Sequence, residues 1–565
     1  MRAFHFFACV VSAVVLLGSA WAQTTTRVSV DSNGNQGNDV CDLWNCVTSA
    51  DGRYTAFSSH ASNLVAGDTN GCLDVFVHDL QTGTTTLVSV DSNGVQGDSN
   101  SWAPFISADG RYVAFKSESV NLVPGDTNGY PDLFVRDLQL GTTTLVSVDS
   151  NGHEATGWYF KGDYPSAPSI SADGRYVTFW YGADLVPGYW IKVWSGLFLH
   201  DLQTGTTTVV GVDSNGVPGN GYDVMPSISA NGRYVAFDSS STNLVPNDTN
   251  GFQDLFVHDC QTGTTSLVSV DSNGVQANNE TYFSSITADG RYVAFASAAS
   301  NLVPSDTNGG SDVFIHDCQT GMTSLVSVDS NGVQENSYAD APSISADGRY
   351  VAFASDGDNL VGGDTNQRKD IFVHDLQTGA TTLVSVDSNN VQGNSHSQDP
   401  SISADGRYVA FYSDADNLVT GDTNGVGDIF VHDRGPCSSP ASWSNYGAGW
   451  PGTNGIPAFT ASSNPVLCTT ITIDLANSLG ATTTAALFVG LTQADLPTAF
   501  GGHLLLLPIS TIVMGLPGTG IGLPAVLPCD PTLCGLAIDL QALEIDAGAS
   551  KGISFTPGLQ LILGS

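Results

Sequence analysis

The sequence predicts an all-β protein, in which a seven-bladed β-propeller closed by an N-terminal strand is followed by a β-sandwich-like C-terminal domain. The phrase SADGRY, or a near variant, occurs seven times, with its glycine at positions 52, 110, 174, 232, 290, 348 and 406. The interval is 58 residues except for one of 64 residues. A fixed period of this length, with four short strands in each unit, is typical of a propeller blade.

Each unit contains four strand signals separated by turn signals. PSIS and RYVAF flank the dipeptide DG, which is a strong hairpin signal between apolar alternating runs. A loop containing DTNG leads to DLFVHD, and the turn LQTG leads to TTLVSV. We therefore expect one antiparallel blade per repeat and almost no helix.

The two ends of the repeat region complement each other. The seventh repeat continues through Asp433 and then leaves into Arg434 and Gly435, without a copy of TTLVSV. A separate copy, TTRVSV, stands at residues 25–30 near the N-terminus. The sequence thus predicts that the N-terminal strand completes the last blade, which removes the open edges of the array.

The units SADGRYVAF, DIFVHD and QTG are similar to the TolB-type propeller repeat, a relative of WD repeats. The resemblance covers residues 24–434 and implies a propeller fold. Members of that superfamily include a periplasmic partner protein, and the same blades precede peptidase domains in some hydrolases. We expect no attached hydrolase domain in this chain, so the resemblance implies no peptidase activity here.

Composition shifts predict four segments. Residues 1–22 carry Arg2, an apolar run, and small residues at Ala20 and Ala22, which is the pattern of a secretory signal peptide. The propeller occupies residues 23–434, a Pro- and Ser-containing linker residues 435–442, and a C-terminal module residues 443–565. We expect a secreted protein, periplasmic or extracellular, without a membrane span.

The C-terminal module has few charges and many Leu, Ile, Thr and Gly residues. Runs such as CTTITIDL, AALFVGLT and GLAIDLQALEID predict an antiparallel sandwich. The WSNYGAGWPGTNGIP opening and the DAGASKGISFTPGLQLILG ending resemble C-terminal modules appended to varied secreted bacterial proteins. The resemblance implies sorting, anchoring or glycan contact for this module.

The charge balance limits the partners. The chain has 17 basic and 55 acidic residues, a formal net charge of -38. Such a charge repels nucleic acids and anionic membranes and favours cations and neutral or basic partners. We expect no nucleic-acid partner and a monomer.

Nine cysteines remain after removal of the predicted signal peptide. A secreted chain permits disulfides, and proximity in the sequence suggests pairs between Cys41 and Cys46, Cys437 and Cys468, and Cys529 and Cys534.

Two symmetric series of polar residues are interpreted as structural. Six repeats place a histidine before the last aspartate of DLFVHD, and every repeat places an arginine after the DG or NG turn. A catalytic histidine would differ from its copies, and none does. We expect cross-strand pairing to explain both series.

The DTNG loops are candidate calcium sites. Three oxygen-bearing side chains recur over seven residues, and hard oxygen ligands at alternate positions suit calcium. The spacing lacks part of the EF-hand pattern, so a loop held by Asx turns is the alternative. The candidate metal ligands are Asp68, Asn70, Asp74, Asp126, Asn128, Asp132, Asp248, Asn250, Asp254, Asp306, Asn308, Asp312, Asp364, Asn366, Asp370, Asp422, Asn424 and Asp428.

The third repeat breaks the symmetry. It holds the six-residue insertion and concentrates aromatic residues in two loops that should lie on the same face of the disc. Exposed aromatic groups stack on sugar rings or hold peptide side chains. The alternative is a small core of the loops' own side chains. The candidate ligand-binding residues are Trp158, Tyr159, Trp180, Tyr189, Trp190, Lys192 and Trp194.

The sequence favours a non-enzymatic binding or scaffold protein whose propeller face engages a glycan, a peptide or an envelope partner. One alternative is an enzyme acting on polysaccharide through a carboxylate pair such as Asp163 and Asp184. Another is a calcium-stabilised structural surface protein, which would lose thermal stability in chelator.

Overall fold

The computed structural model describes residues 23–42, 46–155, 167–182, 185–186, 196–435, 442–465, 470–490, 493–498, 500, 503–506, 510–526 and 537–563. The secondary structure of these residues is β-strand and turn. Contacts group residues Gln23–Arg434 into one compact unit and place the chain from Gly435 onward in another.

The first unit is a propeller of seven four-stranded antiparallel sheets, which confirms the predicted fold class. The strands of each blade follow the chain from the innermost to the outermost position. Blades one to three contain β2 (Val47–Thr48), β3 (Tyr54–Ser59), β4 (Asp74–Asp79) and β5 (Thr84–Leu87); β6 (Ser101–Ile106), β7 (Tyr112–Ser117), β8 (Asp132–Asp137) and β9 (Thr142–Leu145); and β10 (Ser169–Ile170), β11 (Tyr176–Tyr181), β12 (Gly196–Asp201) and β13 (Thr206–Val209).

The remaining blades repeat this arrangement. Blades four to six contain β14 (Asp223–Ile228), β15 (Tyr234–Ser239), β16 (Asp254–Asp259) and β17 (Thr264–Leu267); β18 (Thr281–Ile286), β19 (Tyr292–Ser297), β20 (Asp312–Asp317) and β21 (Met322–Leu325); and β22 (Ala339–Ile344), β23 (Tyr350–Ser355), β24 (Asp370–Asp375) and β25 (Ala380–Leu383). Blade seven contains β26 (Ser397–Ile402), β27 (Tyr408–Ser413) and β28 (Asp428–Asp433), with β1 (Thr24–Arg27) as its outer strand.

The N-terminal strand closes the ring, as predicted. β1 pairs antiparallel with β28, so that Thr24 lies opposite Asp433 and Arg27 lies opposite Phe430. The ladder continues with the Val28 N–H, which donates to the Ile429 carbonyl at 2.8 Å. The last blade is therefore built from both ends of the unit, and no blade lacks its outer strand.

The SADG turns carry the contacts that join the blades. In blade one, the Ser49 hydroxyl donates to Asp51 at 2.6 Å, and Asp51 accepts the backbone N–H of Arg53 at 3.0 Å. The alanine of each turn donates its N–H to the alanine carbonyl of the next blade's turn, from Ala50 to Ala108 at 3.0 Å and finally from Ala404 back to Ala50 at 2.9 Å. Seven such bonds form a closed ring.

The glycine of each SADG turn receives an aromatic ring from the preceding blade. Gly110 has a φ of +72°, and a Cβ there would lie 2.1 Å from Cδ2 of Tyr54. The guanidinium of Arg53 stacks 4.7 Å from the centroid of the Tyr54 ring and makes a bidentate pair with Asp79 at 2.9 and 2.7 Å. This arrangement confirms the predicted pairing of the arginine series and fixes the tyrosine against the neighbouring glycine.

Apolar residues fill the space within and between blades. The paired central strands of each blade hold two phenylalanines, such as Phe57 and Phe76, with centroids 5.9 Å apart. One cluster joins these phenylalanines of blade one to Ile429 and Val431 of blade seven and to Val28 beyond the closing strand. Burial of apolar surface therefore seals the junction that β1 completes.

Two of the three sheets described in the second unit share one core, in agreement with the predicted sandwich-like module. Phe459, Ile473, Leu487 and Leu561 lie in that core. The larger sheet has the order β29 (Ser442–Tyr446), β39 (Gly558–Ile562), β37 (Ala537–Ile545), β32 (Thr483–Gly490) and β35 (Ser510–Leu516), with β38 (Ile553–Phe555) paired to β37. The smaller sheet contains β30 (Phe459–Ala461), β31 (Thr470–Leu475) and β36 (Ile521–Val526), and β33 (Gln493–Pro497) pairs with β34 (His503–Leu506).

The predicted disulfide between Cys41 and Cys46 is wrong. Both residues carry free thiols and are buried at the junction of blades one and seven. The other two predicted pairs each include a cysteine outside the described residues. Within the described part of the chain, no helix is long and apolar enough to span a bilayer.

We expect the contact between each turn glycine and the tyrosine of the preceding blade to contribute strongly to the free energy of unfolding. We expect Gly290→Ala to lower the free energy of unfolding, measured by urea denaturation, more than Gly274→Ala does. The difference between the two losses should be roughly 2 kcal/mol or more. Both glycines have positive φ, at +76° and +79°, but a Cβ at Gly290 would meet the Tyr234 ring and one at Gly274 meets nothing within 4 Å. Equal losses for the two variants would show that backbone strain alone matters and that the tyrosine contact does not.

Candidate functional site

The face of the propeller opposite the SADG turns carries the DTN loops, which join strands two and three in six of the blades, and is called the loop face below. In blades one, four, five and six, called the regular blades, a glutamine side chain bridges two carboxylates at this face. In blade one, the side-chain amide of Gln96 donates to Asp68 Oδ1 at 2.8 Å and to Asp74 Oδ2 at 2.9 Å. Its carbonyl oxygen accepts the backbone N–H of Thr69 at 3.2 Å. The same bridge is made in blades four, five and six by Gln276, Gln334 and Gln392.

The asparagines predicted as metal ligands hold the turn. The Asn70 carbonyl oxygen accepts the N–H of Cys72 at 2.8 Å, and its amide donates to Asp74 at 2.9 Å. In all six DTN loops the asparagine oxygen accepts a backbone N–H two residues later. This is the Asx turn that the sequence left open as the alternative. In blades one, four, five and six, the two aspartates of the loop accept N–H groups of the glutamine amide, which lies where a bound cation would lie.

Blade seven compensates its carboxylates with a cation from the closing strand. Arg27 Nη1 lies 3.2 Å from Asp422 Oδ1 and 3.4 Å from Asp428 Oδ2. The side chains of all three residues are largely buried, so the pairs are shielded from solvent. Ring closure therefore supplies charge compensation as well as ladder hydrogen bonds.

Blade two differs, because the glutamine position holds Glu154. Ligand oxygens of Asp126, Asp132 and Glu154 all lie within 4.8 Å of one another. Asp126 is 8% exposed and Asp132 is 1% exposed, and Asp126 Oδ1 has no hydrogen-bond partner among the described residues. Burial, followed by the charges of Asp132 and Glu154, raises the pKa of Asp126 to about 7. Three carboxylates thus converge where other blades place an amide.

At the described positions of this end, blade three lacks the buried polar groups that the other blades share. In six blades a buried aspartate at the start of strand three accepts a serine hydroxyl, as Asp132 does from Ser147 at 2.5 Å. Blade three has Gly196 and Gly211 at these two positions, and Pro218 at the glutamine position. The carboxylate and its partners have therefore disappeared together.

Neighbouring residues occupy the vacated positions. Tyr181 replaces a buried serine, and its hydroxyl reaches into blade two, 3.2 Å from Asp132 Oδ1. Asp223 of blade four packs over Gly211, where a Cβ would lie 2.0 Å from Asp223 Oδ2. The Asp223 Oδ1 atom accepts the Ser239 hydroxyl at 2.5 Å, and burial raises the pKa of Asp223 to about 7.

The structure describes one of the seven predicted ligand-binding residues. Trp180 is 8% exposed, so it packs into the blade and does not lie on an open surface. Its indole N–H has no acceptor among the described residues. Trp158, Tyr159, Tyr189, Trp190, Lys192 and Trp194 lie outside the described residues, as do the alternative catalytic residues Asp163 and Asp184.

The first strands of the blades enclose a central cavity of about 350 Å³. Met225, Phe283, Ala341 and Asp399 line it and have positive φ at a bulge in the first strand. Burial, then the charge of Asp340, raises the pKa of Asp399 to about 8. The carboxylate of Asp340 also pairs with the ammonium of Lys369 at 2.7 Å.

The histidine series is structural, as interpreted from the sequence. His78 Nδ1 lies 2.9 Å from the Thr85 hydroxyl of the neighbouring strand, and the same pair occurs in blades three to seven. The threonine also donates to a carbonyl of the preceding blade, which is Val30 for Thr85. Burial lowers the pKa of His78, so the ring is neutral at neutral pH.

Sequence reasoning missed the residues that compensate the loop carboxylates. Gln96 is 22 residues from Asp74 and 28 residues from Asp68 in the chain, so no local motif connects them. The available signal is the comparison of repeats, in which Glu154 is the acidic residue in a series of glutamines. Arg27 could be found in the same way, because it stands where the repeated strand TTLVSV has its leucine.

These features define a β-propeller, which is the fold that the repeat resemblance implied. No protein-family model matches the sequence, and no curated protein sequence is similar to it. The fold is similar to that of an oligogalacturonate lyase from Vibrio parahaemolyticus, with 15% identity, 74% of this chain and 98% of the other covered, and a TM-score of 0.43.

Two further solved structures are similar. A TolB protein from Agrobacterium tumefaciens has 15% identity, with 51% of this chain and 80% of the other covered, and a TM-score of 0.31. The WD40 repeats of RRP9 have 8% identity, with 73% of this chain and 99% of the other covered, and a TM-score of 0.36.

The buried carboxyl of Asp223 should make stability depend on pH. Its folded pKa of about 7 exceeds the ordinary value of 3.8, so the folded state binds the extra proton. Stability therefore rises as the pH falls from about 8 towards 4, by at most about 1.4 kcal/mol per unit for this group. We expect Asp223→Asn to flatten this dependence in denaturation curves measured between pH 5 and 8. The exposed Asp39→Asn is the control, and an unchanged slope in Asp223→Asn would contradict the prediction.

Proposed function

We propose that this chain is a secreted, non-enzymatic binding protein, and that the loop face of blade three and its neighbours engages a glycan. The observation that carries the proposal is the coordinated loss of repeat residues at Gly196, Gly211 and Pro218. In a symmetric scaffold, residues that repeat serve the scaffold, and positions released from the repeat are free to serve a ligand. Binding sites lie preferentially on loops that a rigid scaffold positions.

The chemistry of the adjoining segments supports a glycan. Residues 156–166 and 187–195 directly continue the altered positions and contain Trp158, Tyr159, Tyr189, Trp190 and Trp194. Aromatic rings present a flat apolar face, and their polar edges tolerate water, which suits stacking against sugar rings. Trp180 is buried and is assigned to packing instead.

The charge of the chain narrows the class of glycan. A formal net charge of -38 opposes the approach of polyanionic polysaccharides, particularly at low ionic strength. We therefore propose a neutral or amino-sugar polymer as the ligand. Peptides and acidic glycans are the competing classes that the experiment below separates.

A glycan array probed with the purified chain tests the proposal. We expect binding to neutral or amino-sugar polymers, and at least about a tenfold weaker signal for the double variant Trp190→Ala and Trp194→Ala, because stacking on each ring contributes roughly 1 kcal/mol. No reducing ends should be released from a bound polymer. Release that depends on Asp163 or Asp184 would establish the enzymatic alternative instead.

The matched control removes two aromatic residues from the same face of regular blades. Phe252 and Tyr338 are exposed in blade four and before the first strand of blade six. The double variant Phe252→Ala and Tyr338→Ala should bind as the parent does. Equal weakening of both double variants, or a signal restricted to peptides, would contradict a glycan site at blade three.

Secretion is tested by the cleavage site. Removal of residues 1–22 would leave Gln23 at the N-terminus, one residue before the closing strand β1 begins at Thr24. We expect N-terminal sequencing of the exported protein to begin at Gln23. Retention in the cytoplasm with an intact N-terminus would refute this part of the proposal.

A further inference from the structure

We propose that blade two holds one calcium ion, bound by Asp126, Asp132 and Glu154, and that the other DTN loops hold none. The inference is independent of the glycan proposal. It starts from six loops that share two aspartates and an asparagine but differ in the group that faces the aspartates.

The position of the third carboxylate follows from the regular blades. Glu154 Oε1 accepts the N–H of Thr127 at 3.1 Å, as the Gln96 carbonyl oxygen accepts that of Thr69. The bridges between Val148 and Glu154 and between Val90 and Gln96 confirm that the two residues are equivalent. Glu154 Oε2 accepts the N–H of Thr127 at 3.1 Å and its hydroxyl at 2.9 Å. Glu154 therefore brings no N–H donor to the aspartates, whereas the amide of Gln96 in blade one donates to both.

Glu154 stands where the regular blades have a glutamine, so a carboxylate that repels the two aspartates replaces an amide that donates to them. Each regular loop satisfies its carboxylates with N–H donors, and blade seven satisfies them with Arg27. In blade two, Asp126 is buried and its Oδ1 atom is without a donor in the described structure. A buried carboxylate without a partner is costly, so the arrangement demands a positive charge.

The geometry and ligand chemistry select a hard divalent cation. Oxygens bound to one calcium ion at 2.3–2.6 Å lie at most about 5 Å apart. One oxygen from each of the three carboxylates lies within 4.8 Å of the other two, so the site meets this limit. Carboxylate oxygens favour calcium over softer metals, and water completes the coordination shell. Asn128 is not a ligand, because its carbonyl oxygen accepts the N–H of Tyr130 at 2.6 Å.

The surrounding contacts hold the three groups in place. Asp132 accepts the Ser147 hydroxyl at 2.5 Å and the Asn128 amide at 3.0 Å, and Tyr181 of blade three lies 3.2 Å from it. Glu154 accepts the N–H of Asn128 at 3.1 Å. An ion at this position would link blade two to the start of the segment that leads into blade three.

The repeat supplies its own matched variants. Glu154→Gln restores the arrangement of the regular blades, and Gln96→Glu installs a third carboxylate beside Asp68 and Asp74. Both changes keep a side-chain oxygen that accepts the threonine N–H, from Thr127 in blade two and from Thr69 in blade one. Both variants are therefore expected to fold.

Calorimetric titration with calcium chloride, after treatment with chelator, tests the site. We expect one ion per parent chain, at least about a tenfold loss of affinity in Glu154→Gln, and two ions per chain in Gln96→Glu. Calcium should raise the melting temperature of the parent but not that of Glu154→Gln. In chelator, Glu154→Gln should melt above the parent.

Three outcomes would overturn the inference. The parent could bind no calcium, in which case a proton shared among the carboxylates compensates their charge. Glu154→Gln could bind one ion with parental affinity, which would place the site elsewhere. Gln96→Glu could bind only one ion, which would show that a third carboxylate does not create a site in this loop.

Discussion

The closed ring of hydrogen bonds between the SADG turns is the constraint on which the propeller depends. Each alanine N–H donates to the alanine carbonyl of the next turn, and the last bond, from Ala404 to Ala50, returns to the first blade at 2.9 Å. A closed ring requires every blade to take the same position relative to the next. The glycine and tyrosine beside each alanine enforce this, because any Cβ on the glycine would collide with the ring.

This constraint determines where the chain can vary. The interval that contains blade three is 64 residues long instead of 58, yet the bonds from Ala108 to Ala172 and from Ala172 to Ala230 are 3.1 and 3.0 Å, like the others. In the sequence, the additional residues fall between Ala155 and Ser169, outside the turns. Changes in sequence or length at the face of the SADG turns would open the ring, whereas the loop face tolerates them. The loop face is therefore where a ligand site can develop.

The sequence predicts most of the fold, because the signals that specify a blade are local. Turn dipeptides and alternating apolar residues mark the strands, and the orphan copy at residues 25–30 marks the closure. The outer strands are shorter than the repeat suggests, however. β5 ends at Leu87, and two residues later the Ser89 side chain donates to Asp74 at 2.5 Å. A side-chain contact of this kind is not visible in an alternation pattern.

The candidate site was predicted less well, because its contacts join residues of different repeats. The DTN motif identified the aspartates of the loops, but the groups that face them come from the loop leading into the next blade or, for Arg27, from the other end of the unit. The alternation in YVTFWY likewise could not show whether Trp180 points into the blade or towards solvent. Burial of the side chain depends on the packing of blade three against its neighbours.

The compensation of the loop carboxylates shows how a repeat can diverge without loss of its frame. The aspartates at the start of strand three accept serine hydroxyls, so they can be removed only when the serine is removed as well, as at Gly196 and Gly211. The residue that faces the aspartates is less constrained, because both glutamine and glutamate can accept the threonine N–H of the loop. A single change there, at Glu154, converts a neutral bridge into a site of concentrated negative charge. Charge at the loop face can therefore change by one residue at a time, while the hydrogen bonds that close the ring remain as they are.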